Sequence, residues 1–211
     1  RKDGKAGYID KQGQVVIDYQ FATAGSFHEG FAPVWRNGRK GHVDFINKEG
    51  KIVFETEFDF STGFSGGLAM VKILKDKNLY GFINKEGKLV INTQYDDAKD
   101  FSDGLAPVAR NGKWGYVNTE GRVIADFQYE SASIFREGLA LVKKNGKYGF
   151  IDNMGNIVIE PQYESCDWFS DGLTPAKKDG KFGFIDKNNK TIIDFQFIRA
   201  WSFHDGLARF E

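Results

Sequence analysis

Short apolar runs of strand length, each closed by Gly, Asn or Asp, set the pattern of the chain, and residues Leu139–Phe169 show it clearly. Leu139–Lys143 predicts a strand, and Asn145 with Gly146 supplies the two positive-φ positions of a type I′ hairpin. Lys147–Ile151 must then return antiparallel. Asp152–Gly155 predicts an Asx turn, in which the carboxylate accepts backbone N–H groups and Gly takes the left-handed position. Asn156–Glu160 is the third strand. In the second strand Tyr148 and Phe150 share one face while Gly149 and Ile151 share the other, so both faces are apolar. The third strand is a continuous apolar run in most units (Val15–Ile17, Ile52–Phe54, Leu89–Ile91, Ile157–Ile159) and is expected to be covered on both sides.

This unit recurs six times. The turn residues Gly13, Gly50, Gly87, Gly121, Gly155 and Asn189 are spaced by 37, 37, 34, 34 and 34 residues. Phe27, Phe64, Phe101, Phe135, Phe169 and Phe203 repeat those spacings, and so do Gly30, Gly67, Gly104, Gly138, Gly172 and Gly206. Asp3-Gly4, Asn37-Gly38, Asn111-Gly112 and Asp179-Gly180 match the hairpin turn. Asp10, Asn47, Asn84, Asn118, Asp152 and Asp186 fill the first place of the Asx turn, so this row is structural rather than a set of ligands. The glycine row Gly7, Gly81, Gly115, Gly149 and Gly183, broken by Asp44, predicts a hollow that receives an aromatic from the next sheet. Between units an aromatic (Tyr163 in the fifth), a small residue three later (Cys166) and the repeated Phe form an expected clasp under the sheet, with room for a short fourth strand. One such unit is too small to bury a core of its own, so stability must come from interfaces between repeats.

Composition narrows the class. Over 211 residues the chain is 41% apolar and 15% aromatic, with 25 Gly against 4 Pro, which excludes a disordered chain and favours an all-β fold. Its 29 basic and 29 acidic residues cancel, leaving no electrostatic footprint for nucleic acid or an anionic membrane. A single cysteine, Cys166, excludes an internal disulfide, and no apolar run reaches the roughly 18 residues of a membrane span. The start at Arg1 leads us to expect a fragment or processed form. The compartment stays open, with a soluble secreted or cell-surface bacterial protein as one setting.

Gly-Lys-Trp-Gly-Tyr-Val-Asn at Gly112–Asn118, Phe-Gln-Tyr at Phe127–Tyr129 and Arg-Glu-Gly-Leu-Ala at Arg136–Ala140 resemble the bacterial WG, or KWG, repeat family. The likeness covers essentially residues 1–211 as a single repeat domain of six units of 34–37 residues. Only the fourth unit has the literal Trp-Gly; the others read Ala6-Gly7, Val43-Asp44, Tyr80-Gly81, Tyr148-Gly149 and Phe182-Gly183. The resemblance implies a β-rich binding or scaffold module and brings no catalytic residues.

Two architectures suit six antiparallel meanders of three to four strands: a closed six-bladed propeller-like ring, expected here, or an open superhelical β-solenoid. No catalytic, cofactor or metal motif stands out. The two insertions that stretch the spacing to 37, Arg39–Val43 and Lys75–Leu79, extend the same hairpin edge in neighbouring units, and repeat proteins vary where they bind. Trp35, Arg39, His42, Lys75 and Asp76 are therefore the candidate ligand-binding residues. Trp35, Trp168 and Trp201 are further candidates as hot spots or sugar platforms. The resulting expectation is a non-enzymatic module for a protein or glycan partner. Alternatives are an enzyme using His28, His204, Glu29 and Asp205 at a ring closure, and a structural spacer of a larger surface protein. Lys143, Lys144, Lys147, Lys177, Lys178 and Lys181 cluster at the last hairpins as a solvated loop surface.

Small-angle scattering tests the architecture. A closed ring gives a radius of gyration near ~17 Å; a clearly elongated particle selects the open solenoid.

Overall fold

The computed structural model describes residues 4–36, 42–74 and 78–211, and among them every regular element is a strand. The chain divides into two compact units, Arg1–Asp100 and Phe101–Glu211. In the first unit β1 (Ala6–Ile9) and β2 (Val15–Phe21) form a two-stranded antiparallel sheet. There, β3 (Thr23–Ala24), β4 (Ala32–Trp35), β5 (Val43–Ile46) and β6 (Ile52–Glu55) form a four-stranded meander. A second meander contains β7 (Phe60–Ser65), β8 (Leu68–Ile73), β9 (Leu79–Ile83) and β10 (Leu89–Tyr95), with β11 (Asp97–Ala98) ending the unit.

The second unit opens with β12 (Leu105–Arg110), β13 (Lys113–Asn118) and β14 (Val123–Tyr129), paired in chain order. It continues with the meander β15 (Ser131–Ala132), β16 (Ala140–Lys144), β17 (Lys147–Ile151) and β18 (Ile157–Tyr163). The last meander is β19 (Ser165–Cys166), β20 (Leu173–Lys178), β21 (Lys181–Asp186) and β22 (Thr191–Phe197). The short fourth strand is present and precedes the first long strand of its sheet, as in Ser131↔Lys143 and Ala132↔Val142.

Local turn chemistry sets the hairpins. Asn111, Asn145 and Asp179 take φ of 52°, 51° and 49° ahead of left-handed Gly112, Gly146 and Gly180, the type I′ geometry. At each Asx turn one side-chain oxygen accepts two amides, as Asp152 Oδ1 does from Met154 (2.9 Å) and Asn156 (2.8 Å). Asn189 replaces the turn glycine of the sixth unit at φ 63°, and its Oδ1 accepts a 2.6 Å bond from the Tyr163 hydroxyl.

Each core is shared between consecutive sheets. Ile17 and Phe21 of β2 pack with Ala32, Val34 and Ile46 of the next sheet. Likewise Phe150, Ile159 and Tyr163 pack with Ala176 and Ile185. The middle strand is buried on both faces: Phe150 serves one core and Ile151 another. The repeated Phe lies against the second aromatic of that strand. Tyr8–Phe27, Phe45–Phe64, Tyr116–Phe135, Phe150–Phe169 and Phe184–Phe203 have ring centroids 4.8, 5.2, 5.4, 4.7 and 4.9 Å apart. The expected clasp is thus real, although its leading aromatic ends the third strand, as Tyr163 ends β18 opposite Tyr148.

Two expectations are corrected. The third strand is not covered on both sides: it is the sheet edge, and Val15, Val16, Ile52, Val53, Leu89, Val90, Ile157 and Val158 are exposed. Within each apolar run only the inward residue (Ile17, Ile91, Ile159) is buried, because an edge strand has one hydrogen-bonded neighbour and lies beyond the adjoining sheets. The glycine row does not admit an aromatic from the next sheet. Tyr148 pairs with Tyr163 and Phe150 with Ile159, so Glu160–Gln162 bulge opposite Gly149. This brings the Ile159 carbonyl oxygen inside contact distance of any Cβ at Gly149, and the Ala125 and Ile193 oxygens to 2.6 Å of one at Gly115 or Gly183. In the second unit Asp44↔Glu55 and Phe45↔Phe54 stay in register, so the close approach is absent and Asp44 fits. Its buried carboxylate accepts a 2.6 Å bond from Arg36 Nε.

Gly149→Ala should therefore cost ~3 kcal/mol, against ~1 kcal/mol for Gly146→Ala, whose penalty is the left-handed φ of 76° with open space around it. Urea unfolding of both variants measures the difference, and equal losses would refute the bulge as the reason for the glycine row.

Candidate functional site

Three of the acidic residues that precede a turn glycine, Glu29, Glu137 and Asp171, join one repeat to the next. Glu29, Glu137, Asp171 and Asp205 sit at φ of 49°, 49°, 53° and 52° in tight hairpins such as Arg136↔Leu139. The Glu29 carboxylate accepts the Gly67 amide at 3.2 Å, Glu137 the Gly172 amide at 3.2 Å, and Asp171 the Gly206 amide at 2.9 Å. Lys85 and Lys187 add ion pairs at 2.9 and 3.1 Å to Glu29 and Glu137. The Lys85 hydrogen bond and the Gly67 amide hold the Glu29 carboxyl below its ordinary range. Hydroxyls repeat the pattern: Ser102 and Ser170 donate to the Phe135 and Phe203 carbonyls at 2.8 and 2.6 Å.

The concavity that stands apart from this repeated architecture lies in the first unit. A cleft of about 510 Å³ is lined by Thr23, Ala24, Gly25, Trp35, Asp59, Phe60, Lys72, Leu74 and Tyr80. Its wall is built by cross-strand pairing, with Phe60 opposite Lys72 and Lys72 opposite Tyr80. Lys72 Nζ sits 4.7 Å above the Tyr80 ring, and the Trp35 and Phe60 rings are 6.4 Å apart. Trp35 Nε1 donates to the Asp59 carbonyl (3.2 Å), while Asp59 Oδ2 accepts the Leu74 amide (2.8 Å). A second groove, of about 640 Å³, is lined by His42, Glu57, Asp59, Ile73 and Leu74, so Asp59 and Leu74 wall both. The cleft combines one accessible ring, one cation and one carboxylate, a set that orients a flat apolar group through polar contacts at its rim.

Two of the five sequence candidates fall here. Trp35 forms the cleft wall and is buried, covered by the neighbouring sheet. His42 is exposed and lines the second groove. Arg39, Lys75 and Asp76 lie outside the described residues. Asp59, Phe60, Lys72, Leu74 and Tyr80 were not anticipated. The sequence signal for them is Asp44, where the second unit loses its glycine beside an inserted hairpin.

The remaining candidates have defined places. Trp168 and Trp201 are exposed, each under a stacked guanidinium: Arg136 at 4.2 Å and Arg209 at 4.3 Å. His28 packs against Gly63, and His204 stands exposed in its hairpin. Lys143 and Lys177 lie over Tyr148 and Phe182, and Lys144 donates to Gln128. Among the described residues no three His, Cys, Asp or Glu side chains converge as a metal site needs, and no helix is long and apolar enough to cross a membrane. Cys166 is a free, mostly enclosed thiol beside Tyr163 and Phe169.

The family model described as WG containing repeat matches residues 7–39, 45–77, 80–114, 114–148, 148–182 and 182–211. No match is found among curated proteins. Among solved structures, the chain is similar to Hsv2 of Kluyvelomyces marxianus at 12% identity and a TM-score of 0.53, over 82% of this chain and 65% of that one. It is also similar to a eukaryotic initiation factor at 15% identity and a TM-score of 0.54, over 89% of this chain and 60% of the other. The chain therefore spans less than two thirds of either. These likenesses show a propeller-like all-β fold.

Burial, then the nearby Asp167 charge, pushes the Cys166 thiol well above its ordinary range. The folded state holds the neutral thiol, so its contribution is complete below the unfolded pKa, ~8.5, and is lost as pH rises toward the folded value. A disulfide reagent at pH 8 should modify native protein far more slowly than urea-unfolded protein; equal rates would refute the assignment.

Proposed function

The chain belongs to the WG-repeat family, and on that premise we propose that it is a non-enzymatic binding module whose docking point is the Trp35–Phe60–Tyr80 cleft. The observation that carries this reading is coincidence: the lost glycine at Asp44, both hairpin insertions and the cleft all fall in one pair of neighbouring repeats. Elsewhere the polar rows are spent on turns and on joining repeats, as Glu29 is on Gly67 and Lys85. A protein segment suits the cleft better than a sugar. Sugar stacking needs free ring faces, and Lys72 already covers the Tyr80 face while Trp35 is buried, leaving Phe60 as the accessible ring. An aromatic or aliphatic side chain of a partner would enter between Phe60 and Leu74, with Asp59 and Lys72 at its polar rim.

Selection from a displayed peptide library, with a glycan array in parallel, tests this. Phe60→Ala should weaken selected peptides roughly tenfold or more while leaving the melting temperature close to that of the parent. Trp35→Ala should instead lower stability by ~3 kcal/mol, since it empties a buried site. Binding confined to glycans, or indifferent to Phe60, would refute the reading.

A further inference from the structure

Basic and acidic residues cancel over the whole chain, yet within the second unit they are segregated. Each of its sheets has two ends. At one end the first strand starts and the second stops, as Ala140 opposite Ile151 shows, so the Asx turns and the turn acids lie there. The bonds from Glu137 to Gly172 and from Asp171 to Gly206 set those ends side by side in consecutive repeats. The type I′ hairpins β12–β13, β16–β17 and β20–β21 therefore share the opposite end.

Each of these hairpins is closed by a pair of cations. Arg110 faces Lys113, Lys144 faces Lys147 and Lys178 faces Lys181 across the strands. Like charges directly opposite one another work against strand pairing, and the fold accepts the arrangement in three consecutive repeats. Among the described residues no carboxylate lies within ion-pair distance of Lys113, Lys143, Lys147, Lys177, Lys178 or Lys181. The carboxylates at this end are engaged by backbone instead: Glu130 accepts the Gly146 amide at 3.1 Å and Glu164 the Gly180 amide at 3.3 Å. Lys143 and Lys177 rest over the Tyr148 and Phe182 rings, which hold their stems in place and leave the ammonium charge unneutralised. The other end of the same unit differs, for there Lys187 pairs with Glu137 and Arg122 with Glu120.

We propose that the three hairpin ends of the second unit form a docking surface for an acidic, extended polypeptide segment of a partner, built from other residues than the Trp35–Phe60–Tyr80 cleft. Charge complementarity carries the choice: a run of Asp and Glu supplies the carboxylates that these lysines lack. Lysine is a compact point charge with rotatable donors, suited to carboxylates that arrive without a fixed geometry. A bilayer is held most firmly where apolar side chains enter it, and among the described residues these hairpins expose no large apolar side chain. Single-stranded nucleic acid stacks its bases on open ring faces, whereas the rings here lie beneath cations. Glu130, Glu164 and Asp179 also interrupt the band with negative charge. A phosphate chain meets that charge at every step, while a peptide can set a neutral residue against it.

Fluorescence anisotropy of a labelled peptide of alternating Glu and Gly, titrated with the 211-residue chain, tests the proposal. Binding is expected at low salt and should weaken as salt rises. Lys113→Gln, Lys147→Gln and Lys181→Gln combined should weaken it by at least about tenfold. The melting temperature of that variant should hold or rise, because each change removes a like-charge pair. Lys48→Gln, Lys51→Gln and Lys88→Gln combined alter the net charge equally at exposed positions of the first unit and should leave the affinity intact. Absence of binding at low salt overturns the proposal, and so does an equal loss from both triple variants. Tighter binding of an oligothymidylate, or of phosphatidylserine vesicles, than of the peptide overturns the choice of a polypeptide partner.

Discussion

Burial of the middle strand on two faces is the constraint on which the rest of the structure depends. Phe150 and Ile151 are adjacent in sequence and point into different cores, so the sheet that carries them cannot satisfy both alone. Within each compact unit a sheet such as β15–β18 is a shared wall, and its stability belongs to the pair of repeats that flank it. The other repeated features follow from holding such walls in register. The Phe row seats one face against its own second strand, and Glu29, Glu137 and Asp171 bind the amide of the corresponding turn one repeat on. The turn glycines also permit close stacking. Any Cβ at Gly50 would lie 3.0 Å from the Ile17 side chain, and at Gly87 2.6 Å from Phe54.

What the sequence made legible was the local chemistry. An Asx turn is decided within five residues and a type I′ hairpin within four, so Asp152–Asn156 and Asn145-Gly146 could be read directly. The third strand was misread because a run such as Val15–Ile17 looks the same at a sheet edge as at a centre. The reason for Gly149 was missed because the bulge that demands it belongs to Glu160–Gln162, on another strand. The joining role of Glu29 was hidden for a different reason: its partner, Gly67, lies 38 residues away and offers a backbone amide, which leaves no mark on residue identity.

The cleft shows how a repeat gains individuality. Asp44 can occupy the glycine position because β6 stays in register there instead of bulging, and its charge is met by Arg36, which also reaches Glu55 at 2.9 Å. β6 is four residues long where β2 has seven, and Asp59 and Phe60 beyond it line the concavity. Trp35 was legible as part of this region from its place beside an insertion. Phe60 and Lys72 were not, since a cross-strand pair is recognised only once the register is known.

The joining bonds have a genetic consequence. Glu29 to Gly67, Ser102 to Phe135, Ser170 to Phe203 and Asp171 to Gly206 each link a residue to its neighbour repeat at a separation close to one period. Excising or duplicating one whole period in phase would bring a new turn acid beside a new turn glycine and restore the same bond. Unequal crossing-over between repeats is therefore a structurally mild event for this chain, and array length can drift faster than the spacing inside a unit.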